Sequence, residues 1–292
     1  MADAKRGFRL VQVSDTHLSG ERAYFNDNFD VFCAEMAADP PDLIVHTGDI
    51  SLDGAASDAD LVYAANEMKR LPGEVLTLAG NHDVGEAPAF SRLDQPLDNA
   101  RTTRWARTAG ERWWSRVVGD GWLIVGLDTA LMASGLEDEA RQLVFLREAL
   151  AAHEGPRKLV FMHMPPYLDD PDDTKFSALA IPHPARAAFF DACISNGVRA
   201  IACGHVHVYR KLAHRGIDIV WAPPTAFVNI GAQLKRGYGF PRAGYLEWTL
   251  DGDNVSHRLV EPALMITQDV GRWNADHGST THMPPFPARR RV

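Results

Sequence analysis

Seven side chains of types that bind divalent metals lie in five short stretches of this 292-residue sequence. They comprise carboxylates, imidazoles and one amide, and no thiolate. Ligands of these types suit borderline and hard divalent ions such as Mn, Fe, Zn or Co. The sequence therefore predicts a site for divalent or trivalent metal ions, with these candidate ligands: Asp15, His17, Asp49, Asn81, His163, His205 and His207.

The number of candidates indicates two metal ions rather than one. Seven ligands are too many for a single tetrahedral ion, but they fit two octahedral or five-coordinate ions that share a bridging carboxylate and a bridging water. Such ions typically lie roughly 3.5–4 Å apart and hold the attacking and leaving oxygens of an in-line displacement at phosphorus. The expected chemistry is therefore the hydrolysis of a phosphoric ester.

Each of the five stretches directly follows an apolar run that is typical of a buried strand. These runs predict strands at 8–13, 43–46, 75–79, 158–162 and 198–203. Amphipathic segments with helical spacing lie between the runs, at 28–38, 57–71, 137–153 and 184–196. The alternation predicts an α/β protein, in which the loops at the carboxyl ends of the strands line the ligand crevice. We therefore expect the five stretches to meet at one edge.

The pattern changes after residue 205. Successive strands without an intervening helix are predicted at 206–213, 217–221, 226–230, 244–250 and 255–260, and they suggest antiparallel meanders that complete a second sheet. The last stretch, rich in Pro, polar residues and Arg, resembles a tail. The predicted organisation is one domain at 1–268 and a C-terminal tail or arm at 269–292. This arm could mediate a homodimer or extend freely.

The five stretches, in this order, resemble the motifs of the calcineurin-like metallophosphoesterases over roughly residues 8 to 212. The chain is most similar to bacterial class III cyclic-nucleotide phosphodiesterases and their glycerophosphodiesterase relatives. That similarity depends on Ser14-Asp15-Thr16-His17-Leu18, Gly126-Leu127-Asp128-Thr129 and Met162-His163-Met164-Pro165-Pro166. The resemblance implies an α/β fold of two mixed β-sheets packed as a sandwich and flanked by helices.

The resemblance also implies a role for each candidate residue. One metal would be held by Asp15, His17, Asp49 and His207. The other would be held by Asp49, Asn81, His163 and His205, so that Asp49 bridges the pair. A metal-bridging hydroxide would attack the phosphorus, and Asn81 and His82 would bind the substrate. His82 would be catalytic as the proton donor to the leaving alkoxide, although it could also merely pack beside the site.

One departure from the family pattern narrows the function. Protein serine/threonine phosphatases of this superfamily carry an Asp three residues after the bridging Asp, followed by Arg and Gly. Here Asp49 is followed by Ile50-Ser51-Leu52-Asp53-Gly54, so the Asp is shifted and the Arg is missing. The departure disfavours a protein phosphatase, and it leaves open which residue orients His82.

Charge and cysteine content limit the possible partners and the cellular location. Lys and Arg number 30 against 38 Asp and Glu, and the formal net charge of −8 makes binding to nucleic acid or an anionic membrane unlikely. Three scattered cysteines and no secretory or membrane-spanning segment predict a cytoplasmic protein. The predicted function is a phosphodiesterase for a small substrate such as a 3′,5′-cyclic nucleotide. The alternatives are a phosphomonoesterase, a hydrolase of glycerophosphodiesters or nucleotide pyrophosphates, or a catalytically silent binding scaffold.

Overall fold

The computed structural model describes residues 6–88, 91, 94–239 and 241–289. Residues 1–5 of the predicted domain and residues 290–292 of the predicted arm lie outside the described residues. The strands are β1 (Phe8–Val13), β2 (Leu43–His46), β3 (Val75–Thr77), β4 (Trp114–Val118), β5 (Trp122–Leu127), β6 (Lys158–Met162), β7 (Ala200–Cys203), β8 (Arg210–His214), β9 (Ile217–Trp221), β10 (Phe227–Val228), β11 (Tyr245–Asp251), β12 (Asn254–Val260) and β13 (Gln268–Asp269). The helices are α1 (Asn26–Ala38), α2 (Asp58–Met68), α3 (Asn81–Val84), α4 (Asn99–Thr108), α5 (Glu137–Ala152), α6 (His183–Ser195), α7 (Ile230–Lys235) and α8 (Gly271–His277).

Two mixed sheets form the centre of the fold. The five-stranded sheet has the order β12-β11-β1-β2-β3, and the six-stranded sheet has the order β4-β5-β6-β7-β9-β8. In the five-stranded sheet β1, β2 and β3 are parallel, and the hairpin β11–β12 is added antiparallel beside β1. In the six-stranded sheet β5, β6, β7 and β9 are parallel, and β4 and β8 are antiparallel edge strands. One core cluster joins side chains of both sheets, among them Leu10, Phe161 and Trp248. The predicted sandwich of two mixed sheets is therefore confirmed.

The outer faces of the sheets are covered by helices, which explains the continuous apolar runs of the central strands. In β1, Leu10 faces the other sheet, whereas Val11 belongs to the cluster with Phe32 of α1. In β6, Phe161 faces inwards and Val160 packs in the cluster that includes Leu146 of α5. No helix in the described ranges is both long enough and apolar enough to cross a membrane.

The expectation for the strands after residue 205 was wrong in its topology. The hairpin β8–β9 joins the six-stranded sheet and the hairpin β11–β12 joins the five-stranded one, so these strands extend both sheets instead of completing a single second sheet. The helix α7 lies between β10 and β11, where no helix was predicted. The strand β4 and the helices α3 and α4 were also missed. Period-two alternation identifies a strand, but the choice of sheet depends on partners distant in sequence.

The described part of the C-terminal arm lies against the domain. Phe286 stacks on Tyr24 with ring centroids 5.0 Å apart. Its backbone N–H donates to the carbonyl of Glu21 (2.7 Å), and its carbonyl accepts from the N–H of Ala23 (2.8 Å). Within the arm, β13 pairs with β10, and α8 follows directly. These contacts bring residues 274–280 beside the carboxyl ends of the central strands.

Candidate metal centre

The loops at the carboxyl ends of β1, β2, β3, β6 and β7 meet at one edge of the sandwich. Their backbone is strained, because five of the seven candidate ligands have left-handed φ angles that non-glycine residues rarely adopt. The loops hold one another through hydrogen bonds from the N–H groups of Asp15 and His17 to the carbonyls of Gly48 and Asp49, both 3.0 Å. The five strained ligands are Asp15 (φ 55°), His17 (44°), Asp49 (55°), His205 (69°) and His207 (56°).

Two glycines allow the loops to approach this closely. A Cβ atom on Gly80 would lie 2.7 Å from the carboxyl carbon of Asp49. A Cβ atom on Gly204 would lie 2.6 Å from Oδ2 of Asp15. Both distances are far below a van der Waals contact, so a larger residue at either position would displace a candidate ligand. The Gly-Asn and Gly-His pairs of the sequence motifs therefore have a steric reason.

The first group of candidate ligands consists of Asp15, His17 and His207, whose ligand atoms all lie within 4.8 Å of one another. The Nε2 atoms of His17 and His207 are 3.2 Å apart, and Nε2 of His207 is 3.3 Å from Oδ1 of Asp15. Two neutral imidazoles that point lone pairs at each other repel unless a cation or a proton lies between them. The arrangement therefore fits a bound metal ion.

The second group consists of Asp49, His163 and His205. Nε2 of His163 lies 3.3 Å from Oδ2 of Asp49, 3.2 Å from Oδ1 of Asn81 and 3.1 Å from Nδ1 of His205. The same Oδ2 atom of Asp49 is 3.7 Å from Nε2 of His17. Asp49 thus lies between the two groups, and the structure brings all seven candidate ligands together.

Backbone carbonyls orient three of the imidazoles. Nδ1 of His163 contacts the carbonyl of Thr47 (2.8 Å), and Nδ1 of His207 contacts that of Phe227 (2.6 Å). A proton on Nδ1 that donates to these oxygens leaves the lone pair of Nε2 for the interior of the cluster. His205 is reversed, since its Nε2 contacts the carbonyl of Ala178 (3.2 Å) and its Nδ1 faces inwards. Once deprotonated, imidazoles held in this way present their lone pairs to a cation.

Electrostatics within the cluster favour ionised carboxylates. Burial opposes ionisation of Asp15 and Asp49, but the neighbouring imidazoles, His207 and His163 foremost, hold the pKa of both carboxyls below its usual range. Burial likewise opposes protonation of His163, but Asp49 raises its pKa to about 9. Burial, reinforced by His82, lowers the pKa of His17. Protons and a metal cation would compete for this buried negative charge.

His82 lies at the open side of the cluster and is oriented by a backbone group. Its Nδ1 contacts the carbonyl of Leu52 (2.7 Å), and its ring packs edge-on against His17 with centroids 4.6 Å apart. Its backbone N–H donates to Oδ1 of Asp49 (2.8 Å). The sequence left open which residue orients His82, because the Asp and Arg of the phosphatase motif are missing. In the structure the carbonyl of Leu52, in the loop where that motif would lie, contacts the ring.

Asp83 is a residue whose role the sequence did not reveal. Its fully buried carboxylate accepts hydrogen bonds from the N–H groups of Ser51 (2.9 Å), Ile50 (3.2 Å) and Gly80 (2.9 Å), and from Oγ of Ser51 (2.6 Å). Burial, with Asp49 nearby, raises its pKa to about 6. These bonds tie the loop after β2 to the loop after β3. Its place in the Gly80-Asn81-His82-Asp83 stretch was the only available signal.

Two unlike cavities adjoin the cluster, with Asn81 in the lining of both. The polar cavity, about 420 Å³, is bounded at its base by Asp49, Asn81, His82, His205 and His207, and its walls include α7 and residues 274–280 of the arm. The apolar slot, about 30 Å³, is lined by Asn81, His163 and mainly apolar side chains such as Met132, Met164 and Ala180. The loop at 176–180 separates them. The polar cavity is large enough for a small ligand.

A family model identifies the class of protein that this fold and site define. The model of the calcineurin-like phosphoesterases matches residues 8–209, and the chain belongs to that family. The match confirms the resemblance found in the sequence motifs. The chain is therefore a metal-dependent phosphoester hydrolase.

Individual relatives agree with this class. The chain is 27% identical over 288 residues to a protein of Arcobacter nitrofigilis named "probable glycerophosphodiester phosphodiesterase GpdQ", with 94% of this chain and 91% of that protein covered. It is 26% identical over 233 residues to the 3′,5′-cyclic adenosine monophosphate phosphodiesterase CpdA of Vibrio vulnificus, covering 76% and 78%. A dimetal phosphatase of Danio rerio shares the fold, with a TM-score of 0.59 at 15% identity over 88% of this chain and 98% of that one.

Proposed function

We propose that this chain is a phosphodiesterase that uses two metal ions to hydrolyse a small phosphodiester. The observation that carries the proposal is the position of Asp49, whose Oδ2 atom lies 3.7 Å from His17 and 3.3 Å from His163. One carboxylate between two sets of inward-facing nitrogens suits a bridging ligand. In this assignment Asp15, His17 and His207 complete one site, and Asn81, His163 and His205 complete the other.

The metal ions would supply Lewis acidity toward the phosphoryl oxygens and toward water. Mn, Fe, Zn and Co all suit the donor set of carboxylates, imidazoles and one amide. The residues of the chain would do the remaining work. Asn81, which lines both cavities, would help to hold the phosphoryl group between them.

His82 would act as the general acid. It lines the polar cavity, where a leaving alkoxide would emerge, and the Leu52 carbonyl fixes the ring through Nδ1 so that Nε2 is left for the substrate. Donation of a proton from His82 to the leaving oxygen would avoid the release of a strongly basic alkoxide. This role is a catalytic one, in contrast to that of Asp83, which would position the loops.

The substrate class follows from the size of the polar cavity and from the relatives. A cavity of about 420 Å³ suits a small diester such as a 3′,5′-cyclic nucleotide. The long alignment with the Arcobacter protein supports a glycerophosphodiester as the second candidate. The formal net charge of −8 argues against nucleic acid. We also retain the prediction of a cytoplasmic enzyme.

The test measures metal content and hydrolysis together. Purified full-length protein is analysed for metals, stripped with chelator and reloaded separately with Mn, Fe, Zn or Co. Each form is assayed on bis(p-nitrophenyl) phosphate, p-nitrophenyl phosphate, cyclic AMP and glycerophosphoethanolamine. We expect two metals per chain, loss of activity on chelation, and preference for diesters. Activity that survives full chelation contradicts the metal mechanism, and preference for the monoester contradicts the diesterase assignment.

A further inference from the structure

The walls of the polar cavity come from residues beyond the segment that the family model matches. That segment ends at residue 209, whereas α7, with the turn before it, and the arm contribute most of the two walls. α7 begins after Asn229, whose Oδ1 caps it by accepting from the N–H of Ala232 (3.1 Å). Residues of these two walls include Asn229, Gln233, Arg236, Asn274, Ser279 and Thr280. The part of the substrate distant from phosphorus would therefore meet side chains outside the segment that the family model matches.

Arg236 carries the only Lys or Arg side chain among the described residues that line this cavity. It is exposed and directly follows the last residue of α7, where its N–H donates to the carbonyl of Ala232 (3.2 Å). Its guanidinium forms no ion pair with any residue in the described ranges. The backbone hydrogen bond fixes the point from which this side chain extends, and no described residue forms an ion pair with its charge.

The apolar slot differs from the polar cavity in charge as well as in size. It contains no Lys or Arg among its described lining residues, and it contains the buried carboxyl group of Glu86. A charged group in the slot would lose most of its hydration among these mainly apolar side chains. A volume of about 30 Å³ also restricts the slot to a small group. A charged alcohol arm of a diester can therefore be accommodated only in the polar cavity.

We propose that Arg236 is a specificity-determining residue that selects diesters by the charge of the alcohol arm lying in the polar cavity. An anionic arm is preferred over a neutral arm, and a neutral arm over a cationic one. The guanidinium donates hydrogen bonds to a carboxylate or a second phosphate, and it repels an ammonium group. This inference rests on the proposed phosphodiesterase function and names the substrate class within it.

The experiment compares three methyl phosphodiesters whose leaving alcohol is 3-hydroxypropionate, propanol or choline. Only the arm assigned to the polar cavity then changes, and the released alcohol is measured by chromatography. Metal-loaded full-length protein is assayed as wild type, Arg236→Ala, Arg236→Lys and Lys235→Ala. Lys235 is exposed, precedes Arg236 and does not line the cavity, so its loss controls for net charge. We expect Arg236→Ala to raise KM for the carboxylate arm about five- to tenfold, to lower KM for the choline arm, and to leave kcat within about twofold. Arg236→Lys should retain the order.

The inference fails if Arg236→Ala changes the three substrates equally or changes none of them. A binding measurement separates this failure from failure of the proposed function. Calorimetry on metal-loaded protein compares 2-carboxyethylphosphonate with propylphosphonate, neither of which has an ester to cleave. We expect wild type to bind the carboxylate compound more tightly and Arg236→Ala to lose that difference. If no diester is hydrolysed, the proposed function is wrong, while equal affinities in the wild type overturn the role of Arg236.

Discussion

The base and the walls of the polar cavity are built in different ways. At the base, Asp49, His205 and His207 are at most 9% exposed, have left-handed backbone conformations and are held by hydrogen bonds between loops. On the walls, Arg236 and Gly278 are exposed and belong to a short helix end and to the arm. The base lies within the segment matched by the family model, and most of the wall lies beyond it. The difference suggests that the base determines the chemistry and the walls determine the choice of substrate.

The strongest test of this division is the substitution Asp49→Asn at the base. The amide keeps the size of the side chain but removes the charge between the two ligand groups, so both ions should bind weakly. We expect kcat/KM to fall about a thousandfold or more for every substrate, because several kcal/mol of charge stabilisation is lost. Metal analysis by mass spectrometry should show fewer than two ions per chain.

Asp218→Asn is the matched control for this substitution. Asp218 is a partly exposed carboxylate of β9 whose partner is Lys211 at 2.8 Å, outside the ligand cluster. It should keep both metals and full activity. Retention of two metals by Asp49→Asn, with more than about a tenth of the activity, would show that Asp49 is not the bridging ligand.

A smaller effect is expected for the substitution His82→Ala. His82 belongs to the base of the polar cavity. The hydrogen bond to Asp49 uses the backbone N–H of residue 82 and survives the substitution, so metal content should not change. We expect kcat to fall about a hundredfold for a diester with an alkyl leaving group. With p-nitrophenolate, which departs without a proton, the loss should be much smaller.

The control for His82→Ala is His153→Ala. The imidazole of His153, which directly follows α5, contacts the carbonyl of Gly121 (3.0 Å) and belongs to neither of the two candidate ligand groups. It should have wild-type rates with both leaving groups. An equal loss for the alkyl and p-nitrophenyl substrates in His82→Ala would indicate a positioning role for His82 instead of proton transfer.

The sequence was most informative about the base of the site. The strands β1, β2 and β6 were predicted with their observed bounds, because both of their faces are buried and the apolar runs are continuous. Parallel strands deliver their carboxyl ends to one edge, so Asp15, Asp49 and His163 could be expected to converge before any coordinates were known. The left-handed conformations and the close approach at Gly80 could not be predicted, because they depend on loops distant in sequence.

The walls of the cavity and the groups that hold the ligand loops in place were less predictable. Nothing in the sequence pairs Asp83 with the N–H groups of the preceding loop, and a backbone carbonyl such as that of Leu52 leaves no trace in residue types. Residues 269–292 were interpreted as a tail because proline and polar residues dominate them. Their contacts with residues 20–24 become apparent only in the fold, where β13 pairs with β10. Arg236 was not singled out, because the stretch between the strands predicted at 226–230 and 244–250 carried no predicted helix to position it.

The smallest effect is expected when the arm is loosened from the domain by Phe286→Ala. The ring of Phe286 stacks on Tyr24 and accounts for part of the attachment, while the backbone hydrogen bonds to Glu21 and Ala23 remain. An aromatic pair contributes about 0.5–1.5 kcal/mol, so the arm should detach more often without being lost. Because Ser279 and Thr280 of the arm line the cavity, we expect KM to rise about two- to threefold with kcat and metal content unchanged.

Limited proteolysis gives an independent measure, since cleavage within residues 270–289 should become faster in Phe286→Ala. Val117→Ala is the control, because Val117 is a 65% exposed apolar residue of β4, an edge strand of the six-stranded sheet. If cleavage of the arm accelerates while KM stays the same, the arm is attached but is not a wall of the binding cavity. In that case selectivity would depend on α7 alone, and the difference between base and walls would be reduced to the neighbourhood of Arg236.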